Sequence, residues 1–317
     1  MIDLARRVRG LLMEGHLDLP LPGHGATAQR LGALMEFARV DLSLARIIEA
    51  HTDAIAILAE SGRQAARKLY GVWASDGPQS RLTATPLPRG AWRLEGIKQY
   101  CGGASMVDAA LVTAHSDDGL LLLDVSMDTP GITILPSTWV TAALSDTVTG
   151  PVSFESVDLP SDAKVSGPHW YLQRPGFWHG ALAPAACWAG GAHYLIDAAT
   201  NSNKKDPHAR AQVGALQSIG WGLDAILAQA ALEIDADPSD RHHEAHVRAL
   251  KVRHLIERWC TEVMDRFGRA TGPLLLAHDT EAVRHYSALT LYIRQCHAER
   301  DLETIPAPHD VALAAAK

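Results

Sequence analysis

Cysteine is scarce in this chain: Cys101, Cys187, Cys260 and Cys296 are the only four in 317 residues, and no two form a CxxC pair. That spacing excludes a disulfide framework and a zinc knuckle, and it implies reduced thiols in a reducing compartment, the cytoplasm. None of the four is an obvious nucleophile. Long apolar runs are also missing, because the opening MIDLARRVRGLLMEGHLDL is broken repeatedly by Arg, Glu and Asp. Neither a signal peptide nor a membrane span is expected. There is no excess of positive charge: 29 Lys and Arg stand against 36 Asp and Glu, a formal net charge of -7. Nucleic acid and anionic membrane are therefore not expected partners.

Two local patterns fall short of motifs. PLPGHGATAQR, residues 20–30, has two glycines but no preceding strand and no third glycine, so it reads as a loop leading to a helix start capped by Thr27. RHHEAH, residues 241–246, is one residue too short for HExxH and offers no third ligand. It reads as a solvated helix start, and no metal site is expected.

With 47% hydrophobic residues, the chain is long enough to bury two or three domain cores. From Leu31 to Leu58 apolar residues recur at helical spacing, without proline, up to Ser61-Gly62. Seven short runs of strand formers follow: LYGVWAS, RLTATP, AWRLEGIK, DAALVTAH, GLLLLDVS, GITILP and VSFESV, separated by turn formers such as Ser116-Asp117-Asp118-Gly119. Strand after strand without intervening helices predicts an antiparallel barrel or sandwich and argues against a βαβ fold. Helical periodicity returns over 177–200, 208–236, 247–267 and 280–303. The fold class is α+β and multidomain: a helical domain over 1–65, a β-domain over 66–165 and a helical domain over 166–317. Within GIKQYCGGASMVDAALV, residues 96–112, the bare Cys-Gly-Gly-Ala suits either a turn needing positive φ or a flat ligand lying against the chain.

This order of domains, with three stretches, resembles the acyl-CoA dehydrogenase superfamily. The stretches are GVWASDGP at 71–78, WRLEGIKQYCGGASMVDAALVTA at 92–114 and VSFESVDLPSDAKV at 152–165. The resemblance implies a C-terminal four-helix bundle, an FAD cofactor, an acyl thioester or related small-molecule substrate, and a homodimer or homotetramer formed through the bundle. It places Trp73, Ser75, Tyr100, Gly102 and Gly103 at the flavin wall, with Gly102 where the family has a hydroxyl. Aromatic walls and a few fixed donors suit a flat, partly apolar ring.

Oxidation of a CH-CH bond also needs a carboxylate base. Gln295 and Gly180 occupy the two places where the family carries it, so His297 and Glu299 are the nearest candidate catalytic groups, and His179 is the third. The family's pyrophosphate-binding stretch is replaced by NSNKKDPHARAQVGALQ, where Lys204, Lys205, His208 and Arg210 are the candidate phosphate contacts. The expected activity is a flavin-dependent oxidation of an acyl-CoA CH-CH bond. The alternatives are a binding or assembly protein that has lost the base, and a flavin monooxygenase on the same scaffold.

Overall fold

A computed structural model describes residues 2–77, 80–202 and 206–306. Pro78, Lys204 and Lys205 lie outside the described residues. The helices are α1 (Ile2–Met13), α2 (Thr27–Val40), α3 (Leu42–Glu60), α4 (Trp170–Gln173), α5 (Pro175–Gly180), α6 (Leu182–Thr200), α7 (Pro207–Ala236), α8 (Ala245–Thr271), α9 (Pro273–His278), α10 (Thr280–Tyr292) and α11 (Glu299–Thr304). The strands are β1 (Tyr70–Trp73), β2 (Leu82–Pro86), β3 (Trp92–Cys101), β4 (Ala109–Ser116), β5 (Gly119–Ser126), β6 (Ile132–Ile134) and β7 (Gly150–Leu159). Each of the seven predicted strand runs overlaps one of them. None of the described helices is long and apolar enough to cross a membrane.

Contacts group the chain into two compact units that interleave in sequence. The first holds residues 1–18, 47–141 and 145–177, and the second 19–46, 142–144 and 178–317.

In the first unit the strands form one open, mixed sheet. This corrects the expected antiparallel barrel or sandwich. β2 and β7 flank β3 antiparallel, β5 pairs antiparallel with β4, and β6 with β7. β1, however, runs parallel to β4 over Ala109–Val112. Alternating burial predicts a strand but carries no direction, and the long excursion through β2 and β3 is what lets β1 and β4 run the same way. β4 also meets β2 in parallel at Thr83 and His115, so β1 and β2 follow one another along a single edge. The apolar face of α3 covers the sheet, with Ile57, Leu58, Tyr70, Leu111 and Leu122 in one buried cluster.

In the second unit α6 is the central helix, packed against α2, α7, α8 and α10. Its sequence is Ala- and Gly-rich because it is buried on nearly every side. A Cβ at Gly190 would lie 2.1 Å from the Met35 carbonyl oxygen, so only glycine lets α2 approach this closely. The N-terminal α2 thus joins the C-terminal helices expected to form a bundle. α8 runs through Gly268 and ends at Gly272 with φ +68°, just before Pro273. The predicted helix over 280–303 is divided at Cys296–Ala298, where Ala298 takes φ +48° without any glycine or proline to announce the break.

Asp108 joins the entrances of β1 and β4. It accepts from the Leu69 amide at 2.8 Å and from Arg9 at 2.9 and 3.2 Å. Burial opposes its charge, but these bonds outweigh burial and hold its pKa below the usual aspartate range. The Arg9 pair is exposed and contributes little, whereas the amide of the fully buried Leu69 has no route to water. Asp108→Ala is therefore expected to cost about 1–3 kcal/mol in urea unfolding and Arg9→Ala under about 1 kcal/mol. Equal losses from the two would contradict this assignment.

Candidate functional site

The edge of β4 passes from β1 to β2 across a break, because the chain leaves the sheet after Trp73 and returns at Leu82. Side chains span the break. Thr113 Oγ1 donates to the Ala74 carbonyl at 2.9 Å. Lys98, 1% exposed on β3, directs its ammonium at Asp76 Oδ1, at Thr113 Oγ1 (2.8 Å) and at the Ala74 carbonyl (3.4 Å). Three N–H donors meet three acceptors. His115 Nε2 lies 2.8 Å from the other Asp76 oxygen.

Burial lowers the Lys98 pKa, and Asp76 partly restores it. For Asp76 burial works against charge, but the hydrogen bonds from Lys98 and His115 win and depress its pKa. The glycine two residues before Lys98 has a steric reason. Gly96 has φ +125°, and a Cβ there would sit 2.2 Å from the Arg81 carbonyl oxygen, at the point where the chain re-enters the sheet.

Beyond Lys98, three residue steps on β3 stand against two on β7, between the pairs Lys98–Val152 and Cys101–Gly150. This bulge turns Tyr100 outward, 54% exposed. The Cys-Gly-Gly-Ala turn follows directly. The Gly103 amide donates to the Thr147 carbonyl at 2.8 Å, and its φ of +70° accounts for the glycine. Gly102 is different: its φ lies outside the positive region, and a Cβ there would meet only Thr149 Oγ1, at 3.7 Å. That space is open to an atom, and a hydroxyl borders it.

Trp73 is 2% exposed and donates its indole N–H to the Gly102 carbonyl at 3.1 Å, bracing the turn from behind. Ser75 is exposed at the end of the same segment. Burial pushes the Cys101 thiol up to about 12, which leaves it inert at neutral pH. The structure thus gathers Trp73, Tyr100, Gly102 and Gly103 around one turn. It adds Lys98, Asp76 and Thr149, whose roles local sequence does not reveal. Thr149 is 47 residues from Gly102, and only the β3–β7 ladder brings them together.

The candidate bases fall in the second unit. Gln295 is exposed, and its carbonyl accepts from Arg253 at 2.8 Å. Arg253 also donates to the carbonyl of Ala181, next to Gly180, at 2.8 Å and stacks over Trp188 at 4.7 Å. A guanidinium therefore links the backbone at Gln295 to that at Ala181, beside Gly180. His179 is buried against the Pro238 carbonyl at 3.0 Å. His297 is exposed and pairs with Asp301 at 3.3 Å, one turn away; Glu299 is exposed at the start of α11. His208 and Arg210 are exposed on the first turns of α7.

At 20–30, Thr27 is the first residue of α2 and not its cap, because its hydroxyl is given to Asp235, which also accepts from the Gly25 and Thr27 amides and so holds the loop. RHHEAH leads into α8 as expected, with His242 paired to Asp237 and His246 stacked on Trp178. No group of three His, Cys, Asp or Glu residues that could hold a metal occurs among the described residues.

No family model matches the sequence, and no curated protein matches it at a significant level. Solved structures do match. Methanesulfinate monooxygenase MsuC from Pseudomonas fluorescens is 20% identical, with 94% of this chain and 88% of that chain covered at a TM-score of 0.79. TdsC, a dibenzothiophene monooxygenase from Paenibacillus sp. A11-2, solved with FMN and indole, is 17% identical, with 96% and 94% covered at 0.76. A nitrososynthase from Micromonospora carbonacea var. africana is 19% identical, with 92% and 86% covered at 0.79. The chain has the fold of the acyl-CoA dehydrogenase superfamily, which these enzymes share.

The Lys98–Asp76 pair makes the site's stability pH-dependent in a defined direction. A depressed aspartate pKa means the unfolded chain binds more protons in the window just below the ordinary value of about 4, so stability falls as pH drops through that window. Asp76→Asn is expected to abolish this part of the acid loss and to cost about 1–3 kcal/mol at pH 7, by leaving a buried ammonium without its counter-charge. Urea unfolding of both proteins from pH 3 to 7 checks it; parallel pH profiles would contradict it.

Proposed function

We propose that the chain is a flavin-dependent monooxygenase that works with reduced FMN. The observation that carries this reading is the turn at 100–103. An outward Tyr100, an open position over Gly102 and the Thr149 hydroxyl beside it form a cradle for the edge of a flat ring. The residues fit that group, because a side chain at Gly102 would fill the space. Tyr100 would pack on the ring, Thr149 would supply the hydroxyl that Gly102 lacks, and Ser75 would contact the rim. Trp73 would hold the Gly102 carbonyl in place without touching the ring.

A reduced flavin supplies two electrons to O2, so that one oxygen atom enters the substrate and the other leaves as water. This chemistry needs no carboxylate to remove an α-proton. The CH-CH oxidation of an acyl thioester does: Gln295, Gly180 and the buried His179 offer none, and the one candidate carboxylate, Glu299, is exposed to solvent at the start of α11. The FMN and indole of TdsC support a flavin and a small organic substrate here. FMN is favoured over FAD because the chain lacks the family's pyrophosphate-binding stretch.

The test is a fluorescence titration of the purified chain with FMN and FAD. It is followed by incubation with photoreduced FMN, 18O2 and either methanesulfinate or indole as a probe. FMN binding and one labelled oxygen in the product are expected. A chain that binds neither flavin would overturn the reading.

Within the cradle, Tyr100→Ala is expected to weaken FMN about tenfold, and Thr149→Val about three- to tenfold. Unchanged affinity in Tyr100→Ala and Thr149→Val would place the flavin elsewhere.

A further inference from the structure

A cavity of about 930 Å³ opens on the second unit, a size typical of small-molecule sites. Two long helices end on it. α6, 19 residues, reaches it with Asn201, the residue that caps its C-terminus, and α8, 27 residues, with Thr271 and Gly272. The C-terminus of an α-helix carries the negative end of its dipole, about half a charge. The N-termini that face the cavity do not cancel this. α9 is only six residues long, and the start of α10 is covered by Asp279, whose Oδ1 accepts from the Ala282 amide at 2.9 Å. The apolar wall is Pro273, Leu274 and Leu275, with Leu274 64% exposed.

The charged side chains around the cavity have the same sign in excess. Arg39 lines it, but its guanidinium donates to Asp197 at 2.6 Å and lies 3.6 Å from Glu36. Arg284 is shared in the same way between Glu281 at 3.5 Å and Asp41 at 3.6 Å. Each arginine thus already meets two carboxylates, and the Asp279 charge is left over. Tyr194, which also lines the cavity, registers that charge: burial, then Asp279 and Glu281, push its hydroxyl pKa up.

One face of Tyr194 is covered. It lies on the His285 ring, with centroids 3.6 Å apart and planes within 8° of parallel. His285 Nδ1 is 3.0 Å from the Glu281 carbonyl and therefore carries the proton, and burial lowers the pKa of this ring, so it stacks as a neutral imidazole. The face of Tyr194 left to the cavity is the opposite one. An aromatic face beside an unbalanced carboxylate attracts a cation.

We infer that this cavity binds an organic cation, an ammonium group carried on an apolar or aromatic body. The ammonium sits between Asp279 Oδ2 and the open face of Tyr194, and the body lies along Leu274 and Leu275. An anion of the same size is repelled by Asp279 and by two helix ends, and a neutral analogue keeps only the apolar contact. The inference is independent of the flavin reading.

The experiment is calorimetric titration of the full chain with benzylamine, benzyl alcohol and benzoate, which share one aromatic body and differ in the charge of the head group. Benzylamine is expected to bind about tenfold more tightly than the alcohol, and benzoate more weakly than either. Added salt should weaken the amine alone. Asp279→Asn keeps the helix cap, since Asn caps as well as Asp, so its melting curve should match wild type. It is expected to lower benzylamine affinity about five- to tenfold and to leave benzyl alcohol unchanged. Leu274→Gln, at an exposed position, should instead weaken amine and alcohol alike. The proposal is overturned by equal binding of amine and alcohol, by a preference for benzoate, by wild-type amine affinity in Asp279→Asn, or by no amine binding up to about 10 mM.

Discussion

A lysine ammonium that is 1% exposed needs a structural reason, and here the reason is a gap in the sheet. β1 and β2 share one edge of β4 without meeting, and the segment between them leaves the ladder at Ala74. Backbone groups at such a break lose their strand partners. The Thr113 hydroxyl and the Lys98 ammonium take their place, and Asp76 neutralises the charge. An unpaired ammonium at this depth would be strongly unfavourable. The Gly-x-Lys of β3 is therefore a single device: Gly96 admits the returning chain and Lys98 fills the gap it leaves.

Everything proposed for the turn at 100–103 follows from that device. With β3 anchored at Lys98, the next bulge has a fixed place and Tyr100 can only point outward. Trp73, the last residue of β1 before the break, reaches across to the Gly102 carbonyl, and Gly103 is tied to Thr147. The turn is held on both sides, so the open position over Gly102 is a fixed shape. A binding surface made in this way needs little reorganisation when a ligand arrives.

Much of this was legible in the sequence. Short runs of strand formers between turn residues located every described strand, and the Cys-Gly-Gly-Ala turn stood out as a place where a backbone is kept bare. The two glycines look alike in sequence yet differ in the fold: Gly103 is required by its positive φ, whereas a Cβ at Gly102 would meet only Thr149 Oγ1, at 3.7 Å. The parallel course of β1 beside β4 was hidden, because side-chain period does not encode strand direction. Thr149 was hidden for another reason. It is a threonine in an ordinary turn, SDTVTG, and its nearness to Gly102 is made by long-range pairing. In the helical unit, only the fold reveals Arg253 joining the Gln295 carbonyl to that of Ala181. The division of the last predicted helix at Ala298 left no trace in glycine or proline.

The central claim is that the braced turn receives the ring of a flavin. Hydrogen–deuterium exchange of the full chain with and without FMN tests it at the backbone. The account predicts slower exchange on binding at residues 99–103 and 147–150, with little change in β5 and β6. Binding of FMN that leaves both segments unchanged would contradict it.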